Sequence, residues 1–376
     1  MPRRMMKRVL PWGLCVSVGL STAFACDNGK KADKTEPAAG ASAAASAAEV
    51  PGAAIDKMTL PADFPQMKIP ANNPQSDAKI ALGHQLFFDK RLSVDGSRAC
   101  YSCHMNENGT GGADPIAIGA QDKKLTRHSP MLWNVGYLSR FYWDGRAESM
   151  EAQVKGAWGG GNMGVGKENL DKKAKEIGKI AGYKTQFDAV FKEEGATADT
   201  VAKAISAYMR TLVCNDTAYD KYAKGDKKAL NDTQKQGLAL FMGKGVCTAC
   251  HTPPFFSSAY LLQDGTYFNV GAGMQGKAEA DVDVGRKAVT EKESDWAAFK
   301  VPSLRNVSKT APYLHDGSKK FLPDAVRFMA GGGFANKNRS PLMTDKQLSD
   351  AEIKDLVAFL GALECGGKLE EPKLPE

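Results

Sequence analysis

The chain has 376 residues, enough for about two domains once an N-terminal segment is removed. Its formal net charge is +7, and loss of residues 1–25, which hold four basic and no acidic side chains, lowers this to about +3. So small a surplus excludes a nucleic-acid-binding function.

The N-terminal segment has the features of an export signal. Four basic residues precede a short apolar stretch at residues 10–20, and Ala23-Phe24-Ala25 ends it with small residues around a large one. The stretch is too short to predict a membrane span. Cys26 follows directly, so the signal is either cleaved conventionally or leaves an acylated Cys26, and the sequence leaves both open. We expect a periplasmic or cell-envelope protein, with or without a lipid anchor.

Residues 26–58 are rich in Ala, Ser, Gly, Pro and Lys, a composition that predicts a disordered tether. The composition then becomes globular. Apolar residues recur at helical spacing within residues 75–89, with Ser76 as a plausible N-cap. Further helices are predicted within residues 168–180, 183–194, 197–213, 231–243 and 345–363. Sustained period-2 alternation is scarce, so we predict an all-α fold with long loops.

The pattern Cys-x-x-Cys-His occurs twice in the chain. It consists of Cys100, Cys103 and His104, and again of Cys247, Cys250 and His251. In c-type haem attachment the two thiols add to the two vinyl groups, and the following histidine becomes an axial ligand of the iron. A predicted helix containing Leu-Phe and then a short loop precede the first motif. The same arrangement precedes the second motif.

Two other chemistries use paired cysteines. A zinc ribbon places its cysteine pairs about 15–20 residues apart, whereas 143 residues separate Cys103 from Cys247. A thioredoxin-type dithiol would leave both histidines without a role. The sequence therefore predicts two covalent haems in two cytochrome c-like domains, residues 59–226 and 227–376, each enclosing one haem.

Cys214 and Cys365 remain once the signal, Cys26 and the haem motifs are set aside. Each follows a predicted helix. In an exported protein they either form a disulfide or stay as two buried thiols, and the sequence leaves both open.

Several stretches resemble the bacterial di-haem cytochrome c peroxidase family, which includes MauG-type enzymes. These are "LGHQLFFDKRLSVDGSRACYSCH", "RHSPMLWNVGYLSRFYWDGR", "ALFMGKGVCTACH" and "FKVPSLRNVSKTAPYLHDGS". They occur in the family's order and span roughly residues 60–365. The resemblance implies a peroxidatic N-terminal haem, with hydrogen peroxide as substrate. It also implies a high-potential C-terminal haem that accepts electrons from a small c-type cytochrome or another periplasmic donor.

The resemblance also assigns roles to single residues. His104 and His251 would be the proximal iron ligands, and Met329 would be the sixth ligand of the C-terminal haem, where MauG has tyrosine. A thioether ligand raises haem potential, which suits an electron-accepting haem. Trp143 matches a tryptophan that lies between the haems. The alternative for both Met329 and Trp143 is an ordinary core residue.

The resemblance also implies a calcium site. Thr310 and Pro312 match positions whose backbone carbonyls bind calcium between the domains, but His128 replaces the family's asparagine ligand. Imidazole is a poor ligand for a hard cation, so the calcium stays open. His315 matches a histidine near the C-terminal haem, and we expect His84 to be a surface residue.

The chain departs from the family at the peroxide pocket. Ala120 stands where many members have a distal histidine, so the N-terminal haem should be open without prior reduction; His128, the nearest substitute ligand, is expected to be a loop residue. Asn162 stands where the family has a proton-accepting glutamate, and an amide orients peroxide but cannot take its proton. Gln153 matches a glutamine of the same pocket. Glu151 or Glu168 could substitute only if the loop folded inward.

The leading hypothesis is an exported di-haem c-type cytochrome peroxidase. A MauG-like oxidase of a protein or small molecule is one alternative, and a non-catalytic electron-transfer or haem-sensing protein, favoured by Asn162, is another. The sequence leaves a homodimer open.

Overall fold

The computed structural model describes residues 55–56, 58–262 and 264–376. The predicted export signal, Cys26 and most of the predicted tether lie outside the described residues. Within these ranges no helix combines the length and apolar character that crossing a bilayer requires.

Helices make up nearly all the regular structure of the described residues. The α-helices are α1 (Asp77–Phe88), α2 (Met150–Gly159), α3 (Leu170–Gly178), α4 (Ala181–Phe191), α5 (Ala198–Met209), α6 (Ala218–Ala223), α7 (Asp232–Met242), α8 (Lys287–Thr290), α9 (Leu322–Ala330) and α10 (Asp350–Gly361). Short 3₁₀ turns occur at Lys90–Leu92, Cys100–Cys103, Asn106–Asn108, Ala120–Asp122, Val135–Tyr137, Lys167–Asn169, Lys192–Glu194, Cys247–Ala249, Ser258–Tyr260, Glu279–Asp281, Glu293–Asp295 and Val307–Lys309. Strands β1 (Tyr267–Phe268) and β2 (Phe299–Lys300) pair antiparallel, with Tyr267 opposite Lys300. The helical class is confirmed.

Side-chain caps, of which Ser76 was predicted, explain where several helices begin. The Ser76 hydroxyl accepts the N–H of Lys79 at the start of α1. Asn231 and Gln234 form a reciprocal capping box at α7, and Ser349 and Glu352 form another at α10. These side chains satisfy N–H groups that have no partner within the helix.

The same helix arrangement occurs twice. Helix α1 packs on α5, and α5 packs on α2; likewise α7 packs on α10, and α10 packs on α9. A Cβ on Gly83 would lie 1.8 Å from the carbonyl oxygen of Ala204, and one on Gly237 would lie 2.0 Å from that of Asp355. Each helix before a Cys-x-x-Cys-His motif therefore crosses the last helix of its group at backbone contact, where only glycine fits.

Two large clusters of buried apolar side chains form the core. The first cluster contains residues of the 82–214 region together with Leu369, and the second contains residues of the 219–363 region together with Ile55 and Leu60. Each end of the described chain thus packs on the cluster formed by the other half of the sequence. Ile55 and Leu60 belong to the second cluster, and Leu369 belongs to the first. Ile55 is fully buried, although the tether was predicted to reach residue 58. The division into domains 59–226 and 227–376 stays a prediction.

A disulfide joins Cys214 to Cys365, which settles the alternative that the sequence left open. Asn134 holds one partner, because its Oδ1 accepts the N–H of Cys214 at 2.8 Å and its Nδ2 donates to the same residue's carbonyl at 3.0 Å. Asn306 holds the other, since its Oδ1 accepts the N–H of Cys365 at 3.1 Å. The bond therefore links the chain after α5 to the chain after α10.

Candidate haem sites

The first motif presents two thiols and one imidazole from a single turn. Cys100–Cys103 form a 3₁₀ turn, and both thiols are free and half-buried. The Nδ1 of His104 lies 3.1 Å from the carbonyl oxygen of Thr110. Burial lowers the pKa of His104 to about 4, so the ring is neutral at pH 7. With Nδ1–H donating to the carbonyl, the Nε2 lone pair is left for a metal.

The second motif repeats this geometry. Cys247–Ala249 form a 3₁₀ turn, Cys247 and Cys250 are free thiols, and the Nδ1 of His251 lies 3.0 Å from the carbonyl oxygen of Phe256. Burial lowers the pKa of His251 to about 4. Among the described residues no group of three or more His, Cys, Asp and Glu side chains is placed to hold a metal ion by itself. Two thiols with one neutral imidazole fit a c-type haem, held by two thioether bonds and one iron–nitrogen bond.

Trp143, His128 and His315 are joined by two hydrogen bonds and a ring contact. The Trp143 Nε1–H donates to the carbonyl of His128 at 2.8 Å, and the His128 N–H donates to the carbonyl of His315 at 2.7 Å. The rings of Trp143 and His315 are 6.4 Å apart between centroids, and His315 stacks on Phe299 at 3.7 Å. Burial lowers the pKa of His315 to about 4. The structure therefore unites three residues that the sequence singled out separately.

Charged side chains brace this cluster. Arg127 makes two hydrogen bonds to Asp283, at 2.7 and 2.8 Å, and a third to Asp144 at 2.7 Å. Burial alone would raise the pKa of Asp283, but Arg127 outweighs it and holds that pKa below its usual value. The Asp283 carboxylate therefore stays ionised, and Arg127 links it to Asp144, the residue that follows Trp143.

The two departures from the family pattern lie side by side. The Ala120 N–H donates to the carbonyl of Asn162 at 3.0 Å, and a Cβ on Gly119 would lie 1.9 Å from the carbonyl oxygen of Gly161. The Cys103 sulfur lies 3.7 Å from the carbonyl oxygen of Ile118. The loop at residues 117–120 therefore lies between the first haem motif and the loop that carries Asn162.

The two glutamates considered as substitutes are engaged elsewhere. Glu168 is exposed and accepts a hydrogen bond from Asn169. The Oε1 of Glu151 accepts from Arg210 and from Asn73, both at 2.7 Å. Burial raises the pKa of Glu151, but these bonds and the charge of Arg210 hold it below its usual value. Glu151 is therefore held in an ion pair with Arg210, whereas Glu168 faces solvent.

Gln153 lies half-buried on α2, where its carbonyl accepts a hydrogen bond from the Tyr142 hydroxyl at 3.0 Å. Burial raises the pKa of Tyr142, so its hydroxyl keeps its proton at neutral pH. The sequence interpretation did not single out Tyr142, although it stands beside Trp143 in the same motif.

The remaining predicted residues are placed as follows. Met329 is half-buried near the end of α9. Thr310 and Pro312 are half-buried after the Val307–Lys309 turn. His84, expected at the surface, is instead half-buried: it stacks on Tyr208 at 4.5 Å, and its Nε2 lies 2.6 Å from the carbonyl oxygen of Glu370.

Asn134 and Asn306 are structural residues that the sequence interpretation missed. They end the similar stretches "SPMLWN" and "VPSLRN", and 306 − 134 gives a spacing of 172 residues. Both adopt left-handed backbone conformations, with φ values of 64° and 60°, which asparagine tolerates better than most residues. The signal was the internal repeat, which extends beyond the haem motifs.

Comparison with known proteins agrees with this geometry. Residues 77–228 match the sequence model of the family described as di-haem cytochrome c peroxidase. Cytochrome c551 peroxidase of Pseudomonas aeruginosa is 37% identical over 314 residues, which cover 80% of this chain and 83% of that protein. The chain belongs to the di-haem cytochrome c peroxidase family.

Two further proteins are similar to this chain over most of its length. Cytochrome-c peroxidase IdrP1 of Pseudomonas sp. (strain SCT) is 34% identical over 337 residues, covering 84% of this chain and 88% of that protein. The crystal structure of a MauG-like protein associated with microbial copper homeostasis has a TM-score of 0.76 at 29% identity, covering 83% of this chain and 97% of that one. Membership implies two c-type haems, which the two motif regions fit.

Proposed function

We propose that this protein is an exported di-haem c-type peroxidase. It reduces hydrogen peroxide to water with electrons from a small c-type cytochrome or a similar periplasmic donor. The observation that carries the proposal is the pair of motifs, in each of which the histidine Nδ1 lies within hydrogen-bond distance of a backbone carbonyl beside two free thiols. Two relatives that are 34% and 37% identical are named cytochrome-c peroxidase and cytochrome c551 peroxidase.

The proposed haem groups would supply redox-active iron at each motif. Cys100 and Cys103 would hold one and Cys247 and Cys250 the other, with His104 and His251 as proximal ligands. Met329 is the proposed sixth ligand at the second site, where its thioether favours a high potential. Trp143 is proposed to assist electron transfer between the sites, an assignment supported by its contact with His315.

The proposed peroxide site is the region of Ala120, Gln153 and Asn162. Alanine cannot ligate iron, so this site should be open in the oxidised protein. The Asn162 amide can orient peroxide but cannot accept its proton. With Glu151 bonded to Arg210 and Glu168 exposed, proton transfer should be the slow step.

Cellular placement and partners are part of the proposal. The signal at residues 1–25 would deliver the protein to the periplasm or cell envelope, with Cys26 as an optional lipid anchor. The calcium ion implied by Thr310 and Pro312 and the homodimer both stay predictions.

A second candidate is a MauG-like oxidase acting on a protein or small molecule. It is favoured by the likeness to a MauG-like crystal structure. The two are separated by mixing holoprotein, a reduced small c-type cytochrome and peroxide, and following cytochrome absorbance. A peroxidase oxidises the cytochrome in proportion to peroxide. No oxidation above that of a Cys100→Ala/Cys103→Ala control would contradict the proposal.

A further inference from the structure

The C-terminal segment of the chain returns to the loop that orients His104. We propose that Asn106 and Asn306 are positioning residues through which segment 365–369 sets the orientation and basicity of the His104 imidazole toward iron. The inference rests on the proposed haem-binding function and deepens it. The structural features behind it are the loop at residues 105–111, the two asparagines, and segment 365–369, which is anchored at both ends.

The loop at residues 105–111 supplies the acceptor that faces Nδ1 of His104, while Pro130 contributes a second backbone hydrogen bond to the same ring. It is closed by a bridge between Met105 and Gly111 and by the Thr110 N–H, which donates to the carbonyl of Met105 at 2.8 Å. The carbonyl of Thr110 faces Nδ1 of His104 at 3.1 Å. Any displacement of this loop therefore moves the group that fixes the ring and polarises its N–H.

Asn106 ties the loop to the C-terminal segment. Its Nδ2 donates to the carbonyl of Leu369 at 2.9 Å, and its Oδ1 accepts the N–H of Leu369 at 2.8 Å. Leu369 is 4% exposed and belongs to the first buried cluster. The paired bonds hold Asn106, two residues after His104, against a segment that lies 263 residues further along the chain.

Asn306 contacts the other side of the same loop. Its Nδ2 donates to the carbonyl of Gly109 at 3.2 Å, while its Oδ1 accepts the N–H of Cys365 at 3.1 Å. Asn306 is 4% exposed. The Asn306 amide thus joins Gly109, which precedes Thr110, to Cys365, the first residue of the segment. Replacing a buried amide of this kind has a high free-energy cost, because its partners lose their hydrogen bonds.

The segment itself is anchored at both ends. Cys365 is fixed by its disulfide to Cys214, and Leu369 is fixed by burial. Beyond it, the carbonyls of Glu370 and Pro375 contact His84 and Arg91. These outer contacts hold the tail without touching the loop, so they provide a matched control.

The expected consequence concerns the proximal ligand of one site. A hydrogen bond to Nδ1–H increases the basicity of a ligating imidazole, and loss of such an outer partner typically weakens metal affinity or activity by about 10–100-fold. At the second site the acceptor, Phe256, is fully buried in the second cluster. Disturbing the segment should therefore alter the first site and spare the second.

The test is resonance Raman spectroscopy of the reduced holoprotein, reading the iron–histidine stretch that a five-coordinate haem gives. Asn106→Ala removes both bonds to Leu369. Asn306→Asp keeps the acceptor for Cys365 but loses the donor to Gly109, and it tolerates the left-handed backbone. Both should shift the stretch to lower wavenumber and raise the midpoint potential of the first haem only. His84→Ala should change neither.

Three outcomes are distinguishable by a haem count made on the same samples. Two covalent haems with a shifted band in both asparagine variants support the inference. Two haems with an unmoved band in both variants overturn the inference and leave the proposed function standing. Fewer than two haems in the unsubstituted protein overturn the proposed function and the inference together.

Discussion

The main-chain N–H of Ala120 donates to the carbonyl oxygen of Asn162 at 3.0 Å. This bond joins two positions that the sequence resemblance singled out at the peroxide pocket. The resemblance predicts a distal histidine at one position and a proton-accepting glutamate at the other, where this chain has alanine and asparagine. Because they lie in contact beside the first haem motif, we treat them as one altered pocket.

Restoring a histidine at position 120 should close the proposed open site. Ala120→His would supply an imidazole from the loop that lies beside Cys103. Electron paramagnetic resonance of the oxidised holoprotein should show a high-spin ferric signal in the unsubstituted chain and its loss in the variant. Gln121→His, at the exposed neighbouring position, should keep the high-spin signal. Two low-spin signals in the unsubstituted chain would mean that another ligand, with His128 the nearest candidate, already occupies the site.

Restoring the carboxylate should accelerate the reaction with peroxide. General acid–base assistance is typically worth about 10²–10⁴-fold, so Asn162→Glu should raise the stopped-flow rate within that range. The matched control is Asn169→Glu, which makes the same exchange at an exposed position and should leave the rate unchanged. Equal rates for Asn162→Glu and the unsubstituted protein would show that another residue moves the proton.

Replacing Met329 should lower one haem potential. Loss of the thioether in Met329→His should move the second haem's midpoint markedly downward, because histidine in place of methionine stabilises the oxidised iron. A spectroelectrochemical titration measures this shift. Met343→Leu, which alters a buried methionine outside α9, should leave both midpoints in place. An unchanged titration of Met329→His would rule out the ligand assignment.

Breaking a buried ion pair should destabilise the protein strongly. Arg305 and Asp220 are 0% and 1% exposed and share two hydrogen bonds of 2.7 Å. Asp220→Asn leaves the charge of the Arg305 guanidinium unpaired. We therefore expect the free energy of unfolding, measured by urea denaturation, to fall by about 3–5 kcal/mol. Asp188→Asn, at the exposed pair with Lys184, should cost about 0–1 kcal/mol. Equal decreases in the free energy of unfolding for both variants would show that burial does not set the cost of breaking these ion pairs.

The same pair predicts a loss of stability in acid. Burial raises the pKa of Asp220, but Arg305 holds it below its usual value. The stabilisation is therefore complete above the unfolded pKa of about 3.9, and it declines as pH falls through the lower folded value. Asp220→Asn should remove this part of the acid sensitivity.

Local patterns predicted much of the fold. The Ser76 cap, the helix at residues 77–88 and the final helix were readable because capping and apolar periodicity are local properties. Helix α2 was not predicted, because Gly156 and Gly159 weaken its helical pattern. It forms where Met150, Val154 and Trp158 are buried, which is a tertiary effect.

The site was predictable only in part, for the same reason. The haem motifs carry their chemistry in adjacent residues, and the structure supports both by the same histidine geometry. The contact of Ala120 with Asn162 and the bonds of Asn106 to Leu369 join residues far apart in the chain. Only the folded arrangement shows that Glu151 is already bonded to Arg210. Its availability as a proton acceptor could therefore not be judged from the residues adjacent to it in the sequence.

The most direct test is to mix fully oxidised holoprotein with one equivalent of hydrogen peroxide, without any prior reduction, and to follow its absorption spectrum. If Ala120 leaves the first site open, the spectrum changes at once and returns when a reduced small c-type cytochrome is added. A spectrum that changes only after the second haem has been reduced, or not at all in protein shown to carry two haems, would contradict the account.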